Sequence, residues 1–195
     1  MRKSKVERNT NETKISCSID LDGDGKSNIS TGVGFFDHML ELFSHHSLVN
    51  LDLKAVGDTN VDFHHTVEDT AYAIAQATND ALGDKKGINR YGFFYIPMDE
   101  CLSRCVIDFS GRPELVWKVS LGLEKIGEMD TELFQEFFKA FANESKCNLH
   151  IENLYGQNNH HIIESCFKSF ARSFRIATEL DHRRKNFIPS SKGSL

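Results

Sequence analysis

Residues 62–69 read DFHHTVED and residues 158–164 read NNHHIIE. Both stretches set two adjacent histidines three residues ahead of a glutamate, an arrangement uncommon enough to find once. The match extends upstream. Residues 38–68, HMLELFSHHSLVNLDLKAVGDTNVDFHHTVE, lie against residues 136–164, EFFKAFANESKCNLHIENLYGQNNHHIIE. His38 falls opposite Glu136, and Asn50-Leu51-Asp52-Leu53 opposite Asn148-Leu149-His150-Ile151. The offset is 98 residues as far as the loop before the histidines, where the second copy is two residues shorter. An offset of half the chain points to internal duplication of a unit of about 95 residues. Amphipathic helices share apolar spacing, but that alone does not reproduce paired histidines behind a common Asn-Leu.

Each copy reads as strands, helix, strand, helix. In the first, Thr13 to Leu21 alternates as a strand, residues 22–25 (DGDG) turn, and Phe36 to Phe43 has helical spacing. Leu48 to Val56 is a second strand, and Thr66 to Leu82 a long Ala-rich helix stopped by Gly83. In the second copy, strands are expected near Phe93 to Pro97, Cys101 to Phe109 and Leu115 to Leu121, then a helix from Thr131 to Ala142. A strand from Asn148 to Tyr155 and a helix from Asn159 to about Thr178 complete it. The expected class is α+β, an internally duplicated unit in which each half is a mixed four-stranded sheet with two helices on one face. The repeats fall at approximately 1–90 and 91–182, with a C-terminal tail at 183–195.

Composition narrows the function. The chain has 195 residues, 26% charged and 39% hydrophobic, which suits a soluble globular protein with a sizeable core. There is no run of 18 apolar residues and no secretion-signal pattern at the start, so a cytoplasmic protein without a membrane partner is expected. Five cysteines without a CxxC spacing argue against a disulfide framework or a thiolate zinc site. Net charge is −5, and the one basic cluster, His182-Arg183-Arg184-Lys185, is too small a face for nucleic acid.

The doubled motif has a geometric reading. At about 100° per residue, a histidine and the glutamate four positions on lie about 40° apart on a helix, while the neighbouring histidine points about 100° away. One helix therefore cannot wrap all three side chains round one ion. Two pseudo-symmetric helices can exchange. One metal then takes His160, Glu164 and His65, and the other His64, Glu68 and His161, with His38 and Glu136 as the respective fourth ligands. Imidazole nitrogen and carboxylate oxygen suit Mn²⁺, Fe²⁺ or Zn²⁺, and six-coordinate sites with open positions favour manganese or iron over tetrahedral zinc. A single HHxxE is more often a helix start with solvated histidines; two at matching places shift the balance to metal.

These residues resemble those of the imidazoleglycerol-phosphate dehydratase family. The resemblance rests on residues 8–13 (RNTNET), 32–47 (GVGFFDHMLELFSHHS), 57–69 (GDTNVDFHHTVED), 87–92 (GINRYG), 110–113 (SGRP), 156–174 (GQNNHHIIESCFKSFARSF) and the ending SSKGSL. It implies a lyase with two Mn²⁺ per subunit that converts imidazole glycerol phosphate to imidazole acetol phosphate in histidine biosynthesis. It also implies a duplicated fold of the class named for the second domain of a small-subunit ribosomal protein. Trimers would assemble into a homo-oligomeric 24-mer with active sites at subunit interfaces. By the same resemblance, no phosphatase domain of the bifunctional relatives is expected ahead of residue 8.

The chemistry suits that implication. The proton to be lost lies on a carbon with no adjacent carbonyl and is scarcely acidic. An imidazole held between two Lewis acids favours imidazolate, whose electrons can expel the hydroxyl; the diazafulvene-like species then acidifies the neighbouring C–H. The resemblance points to Glu12 as the base and His46 as the proton donor. It assigns substrate contacts to Glu12, His38, His46, His64, Glu68, His160 and Lys168. Phosphate recognition goes to Arg90, Arg112 and the tail Ser190, Ser191 and Lys192. One departure stands out: many members of the family carry histidine where this chain has Glu136. His45 and His150 receive no role, His150 reading as a strand residue.

Overall fold

The computed structural model describes residues 2–195. Its first half runs β1 (Lys3–Asn9), β2 (Thr13–Asp20), β3 (Ser27–Ser30), α1 (Gly34–Ser47), β4 (Asn50–Gly57) and α2 (His64–Leu82). The second runs β5 (Tyr91–Met98), β6 (Cys101–Asp108), β7 (Glu114–Lys118), a small hairpin of β8 (Lys125–Ile126) and β9 (Met129–Asp130), α3 (Glu132–Ser145), β10 (Asn148–Tyr155) and α4 (Asn159–Thr178). The sheets are ordered β1-β2-β4-β3 and β5-β6-β10-β7, one topology written twice. In each, the first three strands pair antiparallel and the fourth joins parallel, giving two mixed four-stranded sheets. The duplication reaches the backbone: α1 and α3 both end on a left-handed, non-glycine residue at the same repeat position, Leu48 (φ 60°) and Lys146 (φ 53°).

The helices α1 and α2 lie on the first sheet and α3 and α4 on the second, while α1 packs on α4 and α2 on α3. The helices thus form the middle of the molecule, between the sheets. Their facing sides are aromatic. Phe36 of α1 meets Phe137 of α3 edge-on at 5.5 Å, and Phe43 stacks on Phe170 of α4 at 5.3 Å. These rings are fully buried and join the halves through one core. All five cysteines are buried and unpaired, as their spacing implies.

The structure departs from the sequence reading mainly at edges. Strands β1 and β3 were not anticipated, because KSKVERN and SNIS are polar; both are edge strands, where polar residues are tolerated and useful. The strand expected to reach Leu121 stops at Lys118, and the chain departs into the β8–β9 hairpin, which has no counterpart in the first half.

Gly92 shows why a glycine closes the GINRYG stretch. There β5 crosses α4 so closely that an added Cβ would overlap the Ser173 carbonyl and approach the Ala177 amide, neither of which can swing away. Gly92→Ala is expected to lower stability by about 1–3 kcal/mol, as overpacking typically does; denaturant unfolding of the variant measures it.

Candidate metal centre

Both histidine pairs open helices, and short polar side chains hold them there. The N-cap Asn158 of α4 accepts the amides of His160 at 3.0 Å and His161 at 3.4 Å. In α2, Asp62 accepts the His64 amide at 2.7 Å. The imidazoles therefore project from helix starts, within the reach of neighbouring elements.

On α4, His160 and Glu164 stand one turn apart, with Nε2 3.1 Å from Oε2. Helix α1 brings His38 Nε2 to 3.7 Å from the same oxygen. The three donor atoms all lie within 4.8 Å of one another. Metal–ligand bonds of about 2 Å need donors converging on that scale, so the arrangement fits one ion. Both histidines are half-exposed while Glu164 is buried, leaving the site open on one side. Burial alone would raise the Glu164 carboxyl, but Lys168, with Nζ 2.5 Å from Oε1, and then His160 outweigh it and hold the carboxyl below its usual range. Glu164 is thus ionised and ready to ligate.

His65 lies elsewhere in the same chain. Its Nδ1 is 3.0 Å from Asp58 Oδ2, and its Nε2 is 3.7 Å from Glu12 Oε1. The Asp58 hydrogen bond raises the imidazole pKa. Glu12 sits in the turn between β1 and β2, and that turn is tied to α2 through Asp69: Arg8 donates to it at 2.8 Å and the Thr13 hydroxyl at 2.5 Å. The Asp that ends the DFHHTVED motif thereby sets Glu12 beside His65.

His161 points to a third place, the turn between β5 and β6, where its Nδ1 lies 2.8 Å from Glu100 Oε2. Glu100 also accepts the Asn158 amide at 2.9 Å and the Cys101 thiol at 3.1 Å. His161 first, then those two donors, hold its carboxyl well below the carboxylate range. Glu100, Cys101 and His161 are close enough for a metal. Burial, then Glu100, push the Cys101 thiol up to about 11, and without a metal it is a protonated donor to Glu100.

The remaining expected ligands His64 and Glu68 lie on α2 and Glu136 on α3, helices that pack together as α1 and α4 do. Glu136 is paired with Lys139 at 3.2 Å. Among the described residues, those three do not close into a ligand cluster, and neither His65 nor His161 joins His38, His160 and Glu164. His46 lies further along α1; burial first, then His45, Lys168 and Arg172, lower its pKa, so its imidazole is neutral at pH 7. His150 is exposed on the outer face of the second sheet, beside Arg104 and Glu152.

The expected phosphate residues gather at the opposite end of α4. The Arg90 amide donates to the Ala177 carbonyl, thirteen residues beyond Glu164, which is about 20 Å along the helix. Arg90 is buried in a two-pronged pair with Asp108, at 2.6 and 3.1 Å, and also donates to the Pro189 carbonyl of the tail at 3.0 Å. The tail continues past Ser190, Ser191 and Lys192 until Leu195 reaches Gly111, next to Arg112. Arg90, Arg112 and the tail are therefore assembled with one another, but not with the His38 cluster.

The sequence matches the imidazoleglycerol-phosphate dehydratase family over residues 31–174. The chain belongs to this family. The imidazoleglycerol-phosphate dehydratase of Staphylococcus aureus is 42% identical, covers 92% of this chain and 99% of its own, and superposes with a TM-score of 0.83. The protein of Pyrococcus furiosus is 29% identical with a TM-score of 0.85, over 97% of this chain and all of its own. Family membership makes the chain a hydro-lyase, EC 4.2.1.19, acting on a small phosphorylated imidazole substrate in histidine biosynthesis. The family is metal-dependent, and the His38, His160 and Glu164 cluster supplies ligands of the right chemistry. Among the described residues, no helix is long and apolar enough to cross a membrane.

Proposed function

We propose that the dehydration runs on two manganese ions per subunit, in cytoplasmic homo-oligomers built of trimers and reaching a 24-mer, with each active site shared between copies of the chain. The observation that carries this reading is the half-built centre: three converging ligands with one open side, and the fourth expected ligand, His65, turned to Asp58 in the same chain. One site would take His38, His160 and Glu164 from one copy and His65 from the next. The other would take His64, Glu68 and Glu136 from that second copy and His161 from the first.

Two further observations support sharing. The phosphate residues lie about 20 Å along α4 from Glu164, farther than one small substrate can span, so a third contribution must come from another copy. The outer face of the second sheet also exposes Phe93 opposite Val106, with Tyr95 beside them on β5, whereas the first sheet faces solvent mostly with charged residues, Lys5, Glu7, Lys14 and Lys54 around Val56. Exposed apolar patches of that kind mark association surfaces.

Histidine and carboxylate ligands without thiolate favour manganese, with Fe²⁺ or Zn²⁺ as lesser candidates. Held by these histidines and carboxylates, such ions would supply Lewis acidity toward the substrate's imidazole. The protein's own part is positioning and proton transfer. Glu12, exposed at the mouth of the β1–β2 turn beside His65, removes the C–H proton. His46 faces the leaving hydroxyl, Lys168 helps to hold the substrate, and Arg90, Arg112, Ser190, Ser191 and Lys192 hold the phosphate. To donate a proton His46 must first become imidazolium, the form that its lowered pKa makes the minor one.

The test is turnover of imidazole glycerol phosphate to imidazole acetol phosphate by the purified, manganese-loaded protein. Absence of product with both ions bound, in the wild type and in Glu136→His alike, overturns the reading. Glu12→Gln is expected to lower kcat by about 10²–10⁴-fold, the usual contribution of a general base, with unchanged metal content. Equal loss of kcat and of bound metal would instead make Glu12 a ligand.

A further inference from the structure

The internal symmetry hides a division of labour. Glu12 stands immediately before β2 and Glu100 immediately before β6, so the two glutamates occupy the same place in the two repeats. Symmetry would have Glu12 hold His65 as Glu100 holds His161. The structure breaks it: Glu100 takes Nδ1 of His161 at 2.8 Å, whereas Nδ1 of His65 is taken by Asp58, from the loop after β4. Glu12 is left facing Nε2, at 3.7 Å.

The reason lies at the counterpart of Asp58. Past the bulge in β10, Gly156 faces Cys101 as Gly57 faces Thr13, so the position matching Asp58 is Gln157. An amide stands there instead of a carboxylate, and in the second half the turn glutamate orients the histidine. In the first half Asp58 does so, and the turn glutamate is released.

We infer that Asp58 and Glu100 are positioning residues that fix the His65 and His161 imidazoles with Nε2 presented for a metal, and that Asp58 thereby frees Glu12 for proton transfer. A histidine that donates Nδ1–H to a carboxylate keeps its other nitrogen unprotonated and aimed, the common support for a ligating imidazole. The inference rests on the reading that His65 and His161 ligate manganese.

Mn²⁺ titration of the metal-stripped assembled protein by calorimetry, with bound metal counted and its spin-resonance spectrum recorded, tests it. Wild type is expected to take two ions per chain. Asp58→Asn and Glu100→Gln should each weaken one of the two by about 10–100-fold and alter its spectrum, while Glu12→Gln keeps both. Among the described residues the Asp58 side chain hydrogen-bonds only His65, so Asp58→Asn decides the matter even if Glu100→Gln, which also touches the start of α4, fails to fold. Unchanged affinity in Asp58→Asn overturns the positioning role, and weakened metal in Glu12→Gln overturns the division between the glutamates. Failure of wild type to bind two ions overturns the di-manganese reading itself, and the inference with it.

Discussion

Stripping the metal is expected to abolish dehydration, and Mn²⁺ to restore it in step with occupancy, the full rate returning as bound metal approaches the proposed two ions per chain. The substrate offers no carbonyl beside the C–H to be broken, so stabilisation of the developing charge must come through the imidazole ring. Lewis acids at such a centre are worth several kcal/mol, hence a loss of at least about 10³-fold without them. Lys168, the cation beside the cluster, is already bound to Glu164. Dialysis against chelator, followed by stepwise re-addition with turnover and metal measured on the same samples, checks this. Full rate at one ion per chain would rule out a pair. Two ions without turnover would indicate a different di-metal chemistry or an effect of Glu136, which a Glu136→His variant separates.

Two variants that are each inactive should restore one another when their subunits mix. His160→Ala removes a ligand from the cluster on α1 and α4, and His65→Ala removes the ligand expected from a neighbouring copy. If each active site pairs the α1 and α4 face of one copy with the start of α2 of the next, some sites in a mixed oligomer draw only intact faces from the two variants. With equal, random mixing about a quarter of the sites are intact, so activity should rise from near zero toward about a quarter of wild type. Co-purified mixed oligomers, assayed beside each variant alone, provide the comparison. Activity that stays near zero in verified mixed particles would mean that each chain completes its own centre by moving His65.

The two halves differ in how much of them was legible. Helices α2 and α4, strand β10 and the paired His160 and Glu164 followed from the sequence because they depend on local period: four residues make one helical turn whatever surrounds it. Strands β1 and β3 did not, because edge strands carry little apolar alternation and exist through their partners. Asp58 and Glu100 were also unread. Their one signal was the duplication, which pairs Glu100 with Glu12, and it becomes visible only once β2 and β6 are known to occupy the same place.

By itself, then, the sequence determined the duplication, the α+β class, the ligand types and the His/Glu pairs within a turn, all matters of spacing along the chain. Tertiary structure alone decided that α1 joins α4 and α2 joins α3, that Asp58 and Glu100 hold the outlying histidines, and that the His160 cluster and Arg90 stand at opposite ends of α4. Those outcomes depend on contacts between residues far apart in sequence, which packing of the shared aromatic core fixes and local periodicity does not.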